Sequence, residues 1–201
     1  EWSADNSFVK AMYSRIYFQI PIANVFIKES STESMDEKGF SAEEQAEIST
    51  YRAEARFLRA LSYYHAMDLF GNVPFVDEST PIGVFYPEQI SRENLFIWIE
   101  SELKAIENEL MEASQVPYGR ASKAAAQTLL AKMYLNAEVY TSNPKWTECI
   151  NYCNKVINDG GFSLDDNYSE IFMADNNTSP EIIFPICFDG QYTQTWGGTT
   201  I

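Results

Sequence analysis

Between Ser41 and Pro74 the chain carries a helix start signal, a long periodic run and a stop signal. Ser41 followed by Glu44 is the capping-box pattern, in which each residue satisfies a backbone or side-chain group of the other at a helix N-terminus. Gly71 supplies a left-handed C-terminal cap, and Pro74 prevents any continuation. The span 42–70 therefore predicts a helix roughly 43 Å long at 1.5 Å per residue. Inside its apolar, aromatic second half stand two arginines, Arg56 and Arg59. Either each reaches past apolar neighbours to a carboxylate or carbonyl on an adjacent helix, or the pair binds an anionic ligand. Glu54 lies close in sequence, and Asp68 is on the same helix. The apolar surroundings favour structural pairing, so Glu54, Arg56, Arg59, Gly71 and Pro74 are read as scaffold residues.

Other segments carry the same signature. Residues 7–30 predict a first helix rich in aromatics (Tyr13, Tyr17, Phe18, Phe26), kinked or split at Pro21. Ser30 to Ser34 reads as a polar loop. A helix over 91–113 buries Leu95, Trp98, Ile99, Leu103, Ile106 and Leu110 at helical spacing. After Pro117 and Gly119, a helix over 122–141 carries Ala126, Leu129, Leu130, Met133, Tyr134 and Ala137 on one face. Asn143 as N-cap and Pro144 at the first helical position open another, 144–158, ended by Gly160 and Gly161. These last two helices span close to the 34-residue period of tetratricopeptide repeats. The expected fold is mostly α: tetratricopeptide-like antiparallel helix pairs with long loops. Residues 1–160 form the helical scaffold, and 161–201 form a loop-rich segment with a short extended stretch around Glu181–Phe184. A loop as long as 71–90 is usually functional or packed by its own side chains.

The chemistry is sparse. With 14 basic and 29 acidic residues, the net charge of −15 repels phosphate backbones, so no nucleic-acid partner is expected. No run of about 18 apolar residues exists. The N-terminus shows no signal peptide, although a mature or truncated chain looks the same. Three cysteines argue against a disulfide framework. Cys149 and Cys153 are expected to be buried and unbridged beside Trp146, Ile150, Val156 and Ile157; as a metal pair they lack further ligands. His65, the one histidine, is read as hydrogen-bonded among aromatics, and nothing builds a nucleophilic triad around it. Two carboxylates suffice for glycoside hydrolysis, but among 29 acidic residues no pair stands out. Asp165-Asp166-Asn167 and Asp175-Asn176-Asn177 lack the glycine and glutamate of a calcium loop and read as surface turns. No catalytic residue, metal site or cofactor is expected.

Glu54-x-Arg56-Phe57-Leu58-Arg59-Ala60 followed by Asp68-Leu69-Phe70-Gly71-Asn72-Val73-Pro74 resembles the SusD/RagB family. Tyr13-x-x-Ile16, Asn24-x-Phe26-Ile27, Gly119-Arg120-Ala121-Ser122-Lys123, Leu130-Ala131-x-x-Tyr134-Leu135 and Ser179-x-Glu181-Ile182-Ile183-Phe184 agree in order. The resemblance implies a tetratricopeptide-like fold and a lipid-anchored, surface-exposed location on the outer membrane. It implies non-catalytic capture of oligosaccharide or polysaccharide, or of other nutrients, for a SusC-like TonB-dependent transporter. Family chains are longer, so this sequence looks like an internal piece without the lipidated start and the C-terminal half. The family's glycan site includes the segment before the matching first helix, which here points to Trp2 and Asn6. An exposed tryptophan suits the C–H face of a pyranose, and an amide can bond its hydroxyls. Trp2 packing onto Phe8 or Met12 is the alternative. Tyr192 and Trp196 in the Gly- and Thr-rich tail are a second candidate pair. A helical interaction module with no ligand of its own is the competing function, and a glycoside hydrolase the third.

Overall fold

The computed structural model describes residues 3, 5–81, 83, 86–188 and 190–192. Its elements run α1 (Ser7–Glu29), α2 (Thr32–Glu37), α3 (Ala42–Phe70), β1 (Val73–Pro74), β2 (Gln89–Ile90), α4 (Arg92–Ile106), α5 (Lys123–Leu135), α6 (Ala137–Thr141) and α7 (Trp146–Asp159). Beyond α7 the described chain is irregular, apart from 3-10 turns at Glu170–Phe172 and Asn176–Thr178. The architecture is mostly helical, as the periodicity implied.

The side chains that meet across each helix pair give its direction. Tyr13 meets Phe70, and Asn24 meets Arg59, so α1 runs antiparallel to α3. Arg56 meets Glu102, and Tyr63 meets Trp98, so α3 runs antiparallel to α4. The core lies between these faces and α5, and it includes Ile20, Phe57, Tyr63, Ile99, Leu130 and Tyr134.

The capping box of α3 is formed on both sides: Ser41 accepts from the Glu44 N–H, and the Glu44 carboxylate accepts from the Ser41 N–H at 2.8 Å. Gly71 ends the helix at φ 76° and ψ −109°. That ψ lies outside the left-handed helical well expected of it, in territory that suits a residue without a Cβ. Several boundaries differ from expectation, each for a local reason. Pro21 does not split α1, which is continuous through it. The Ser30–Ser34 stretch is not all loop, because Ser31 caps α2 and Met35 is buried beneath it. The helix expected to reach 113 ends at Ile106, where the Glu109 and Leu110 N–H groups share the Ile106 carbonyl in a tightening turn. The 122–141 span breaks at Asn136, between α5 and α6.

At α7 two expectations fail. Asn143 does not cap it: its side chain donates to the Thr141 carbonyl at 2.9 Å, so the helix starts at Trp146. Cys149 is only half-buried and Cys153 is exposed, although both are free thiols. The inward face of α7 is set by Tyr152, whose hydroxyl donates to Glu107 at 3.0 Å. The stripe of Trp146, Ile150, Cys153 and Ile157 therefore faces outward.

Candidate functional site

Two regions concentrate polar chemistry against aromatic surface. The first is internal. Arg59 is 1% exposed, which places a permanently cationic side chain inside the core. Its guanidinium donates to Asn24 Oδ1 (2.7 Å), to Glu102 Oε2 (2.8 Å) and to Glu78, and lies 5.0 Å from the centroid of Trp98. Arg56, one turn earlier, clasps the same Glu102 through Nε (3.1 Å) and Nη2 (2.9 Å). Burial pushes the Glu102 carboxyl up, but hydrogen bonds and charge from both arginines outweigh it and hold it below the usual carboxylate range. Burial likewise works against the charge of Arg56, and Glu102 more than restores it. Arg59 Nε is buried and has no hydrogen-bond partner among the described residues. Glu54 points elsewhere and binds Arg120, whose guanidinium also sits 4.6 Å from the Tyr51 ring centroid.

This cluster ties four elements together. Asn24 belongs to α1, both arginines to α3, Glu102 to α4, and Glu78 to the 71–90 connection. The same connection is held by the Tyr63 hydroxyl, which donates to the Val76 carbonyl (2.7 Å) and accepts from its N–H (2.9 Å). Pro74 pairs with Gln89 across the two-stranded ribbon. Its carbonyl accepts from the Tyr17 hydroxyl at 2.8 Å, and burial pushes that phenol's pKa up. The long connection is therefore stapled at its base, and Pro81, Gly83 and Tyr86 farther along it are exposed.

The second region lies where the start of α1 meets the end of α3. Tyr13 packs against Tyr17 with ring centroids 4.5 Å apart and edge-on to Phe70 at 5.4 Å. Val9, Lys10, Tyr13, Ser14 and Phe70 line a shallow cleft of about 480 Å³. Lys10 pairs with Asp5 at 2.8 Å on its rim. Asn6 is the N-cap of α1, and its Oδ1 accepts from the N–H groups of Phe8 (2.9 Å) and Val9 (3.3 Å). Its amide oxygen is thus committed to the helix, which leaves Nδ2 as the group able to donate outward. Phe8, at 71% exposed, and Met12 present further apolar surface beside it. An aromatic floor with hydroxyl, ammonium and carboxylate groups at its edge suits a ligand with apolar C–H faces and many hydroxyls.

Of the four ligand-contact residues named from sequence, Asn6 and Tyr192 are placed, the latter 91% exposed. Trp2 and Trp196 lie outside the described residues. Tyr13, Phe70, Lys10 and Asp5 were not singled out for the site; the aromatic spacing of Tyr13 and Tyr17 along α1 was the available signal. His65 is exposed on α3, its ring 5.4 Å from Tyr64. Among the described residues no group of three His, Cys, Asp or Glu side chains is placed to hold a metal ion.

The sequence model of a SusD-like family described as "Starch-binding associating with outer membrane" matches residues 1–135. The starch-binding protein SusD of Bacteroides thetaiotaomicron is 39% identical over 203 residues, covering 99% of this chain and 34% of that protein. A SusD-like carbohydrate-binding protein from Bacteroides fragilis superposes with a TM-score of 0.77 at 26% identity, over 92% of this chain and 34% of that one. A structure with a xylogluco-oligosaccharide superposes with a TM-score of 0.75 at 23% identity, over 91% of this chain and 36% of the other. The chain thus spans about a third of the length of the relatives it matches.

Proposed function

The chain belongs to the SusD-like family of starch-binding proteins that associate with the outer membrane, and from that premise we propose that it captures polysaccharide at the bacterial surface without cleaving it. Its proposed partners are an oligosaccharide or polysaccharide and a SusC-like TonB-dependent transporter, to which the captured glycan is passed. The observation that carries this reading is the match of the family over residues 1–135 together with an aromatic cleft at the start of α1, the helix that Asn6 caps. We assign ligand contact to Asn6, which caps α1, and to Trp2, which lies outside the described residues, with Tyr192 and Trp196 as a second pair. Arg56 and Arg59 are assigned to the scaffold, because Arg56 Nη2 and both terminal nitrogens of Arg59 are bonded to Asn24, Glu78 and Glu102.

Trp2→Ala in the intact protein should weaken binding to its glycan roughly tenfold or more, which corresponds to about 1.4 kcal/mol. The melting temperature should barely move. Titration of the wild type and the variant with soluble starch and with xyloglucan checks this. Unaltered affinity, or a large fall in melting temperature, assigns Trp2 to the core. A second reading is a helical docking module without its own ligand, and the outward stripe of Trp146, Ile150 and Ile157 on α7 favours it. Absence of glycan binding by the wild type would leave that reading standing.

A further inference from the structure

The hairpin between α3 and α4 forms a cleft of its own. Thr80, Tyr86, Gln89, Ser91 and Asn94 line it above Phe75, in a volume of about 490 Å³. Tyr86 is 99% exposed, an aromatic ring with both faces open to solvent. It stands two residues before Glu88, whose carbonyl accepts from the Phe75 N–H at 3.0 Å. Phe75 is in turn packed on Tyr63 (5.3 Å between centroids) and Trp98 (5.1 Å). The exposed ring is thus carried close to a base fixed by ladder bonds, by Tyr63 and by the Arg59–Glu78 pair. Among the described residues neither lysine nor arginine lines the cleft, and Glu88 is its one charged lining residue. An anionic ligand meets no lysine or arginine there; a neutral hydroxylated one meets an aromatic face and two side-chain amides, beside the Thr80 hydroxyl bonded to Asp77 and the Ser91 hydroxyl that caps α4.

The position of this cleft is as informative as its lining. Phe70 borders the cleft at the start of α1, and the next two residues form the turn that leads into the hairpin. Asn72 Oδ1 accepts from the Arg92 N–H at 2.9 Å, which fixes that turn against the start of α4, where Ser91 and Asn94 line the second cleft. Both clefts therefore border one short, pinned junction.

We propose that the hairpin cleft is a second sugar-contact surface, centred on Tyr86, and that the bound ligand is a glycan several rings long that engages both clefts. This rests on the glycan-binding reading above and adds the length of the substrate to it. Two linked contacts raise the avidity for a chain long enough to reach both, and leave short ligands unaffected.

The test compares the wild-type protein, Trp2→Ala and Tyr86→Ala in affinity gels and calorimetry. The probes are soluble starch, xyloglucan, and a trisaccharide and a heptasaccharide derived from each. Tyr86→Ala should weaken binding of the polymer and heptasaccharide at least fivefold and change trisaccharide affinity less than twofold, with an unchanged melting temperature. Trp2→Ala should weaken both lengths. Polymer affinity unchanged in Tyr86→Ala overturns the second cleft and leaves the glycan-binding reading intact. Equal loss for short and long ligands also overturns it, since Tyr86 then belongs to a single site. If the wild type binds none of the probes, both readings fall.

Discussion

Replacing Arg59 by Leu should lower the stability of the folded chain by about 3–5 kcal/mol, the range found when one partner of a buried ion pair is removed. Arg59 is 1% exposed and supplies donors to Asn24, Glu78 and Glu102, which sit on three different elements. Leucine fills part of the volume but leaves Glu102 with one arginine and Asn24 Oδ1 without its partner. Arg56→Leu should cost less, about 1–3 kcal/mol, because Glu102 keeps Arg59 and the other partner, Glu109, is half exposed. Urea unfolding followed by circular dichroism measures both. A loss below about 1 kcal/mol for Arg59→Leu would contradict the assignment. So would lost glycan binding with unchanged stability, which would return the arginines to the ligand.

Phe57→Ala should be comparably damaging, at about 3–5 kcal/mol for a buried phenylalanine truncated in a packed core. Its ring is 2% exposed and meets Phe184 edge-on at 5.2 Å. Phe184 follows the irregular stretch after α7, so this contact fastens that stretch to the longest helix. The variant should therefore lose hydrogen-exchange protection around Ile183 and Phe184 as well as in α3. Loss confined to α3 would mean that the stretch is held by other contacts.

What the sequence made legible was the part of the fold governed by local signals. The capping box at Ser41 and the apolar stripes of α3, α4 and α5 follow from periodicity and backbone chemistry that neighbouring residues decide alone. The errors fall where tertiary contacts decide. Which side of α7 faces inward depends on Glu107, which Tyr152, Lys155 and Gln127 all address from other positions. Cys153 shares the exposed face of Trp146, Ile150 and Ile157, whereas Cys149 is half-buried and packs against the core. Partners of the arginines were predictable in kind, as carboxylates on an adjacent helix, but not in identity: Glu102 lies 46 residues from Arg56 and was one of many acidic residues. At the site, Asn6 was named for its amide, yet its oxygen is held by the helix it caps. The cleft of Tyr13 and Phe70 needs α1 and α3 to run antiparallel before the two rings can meet.

The central claim is capture without cleavage. The most direct measurement incubates the intact protein with soluble starch and with xyloglucan, follows retention of the protein on each polymer, and assays the same mixtures for new reducing ends. The account predicts retention on at least one polymer, with its chain length unchanged. No retention on either, or a rise in reducing ends that follows protein concentration, would contradict it.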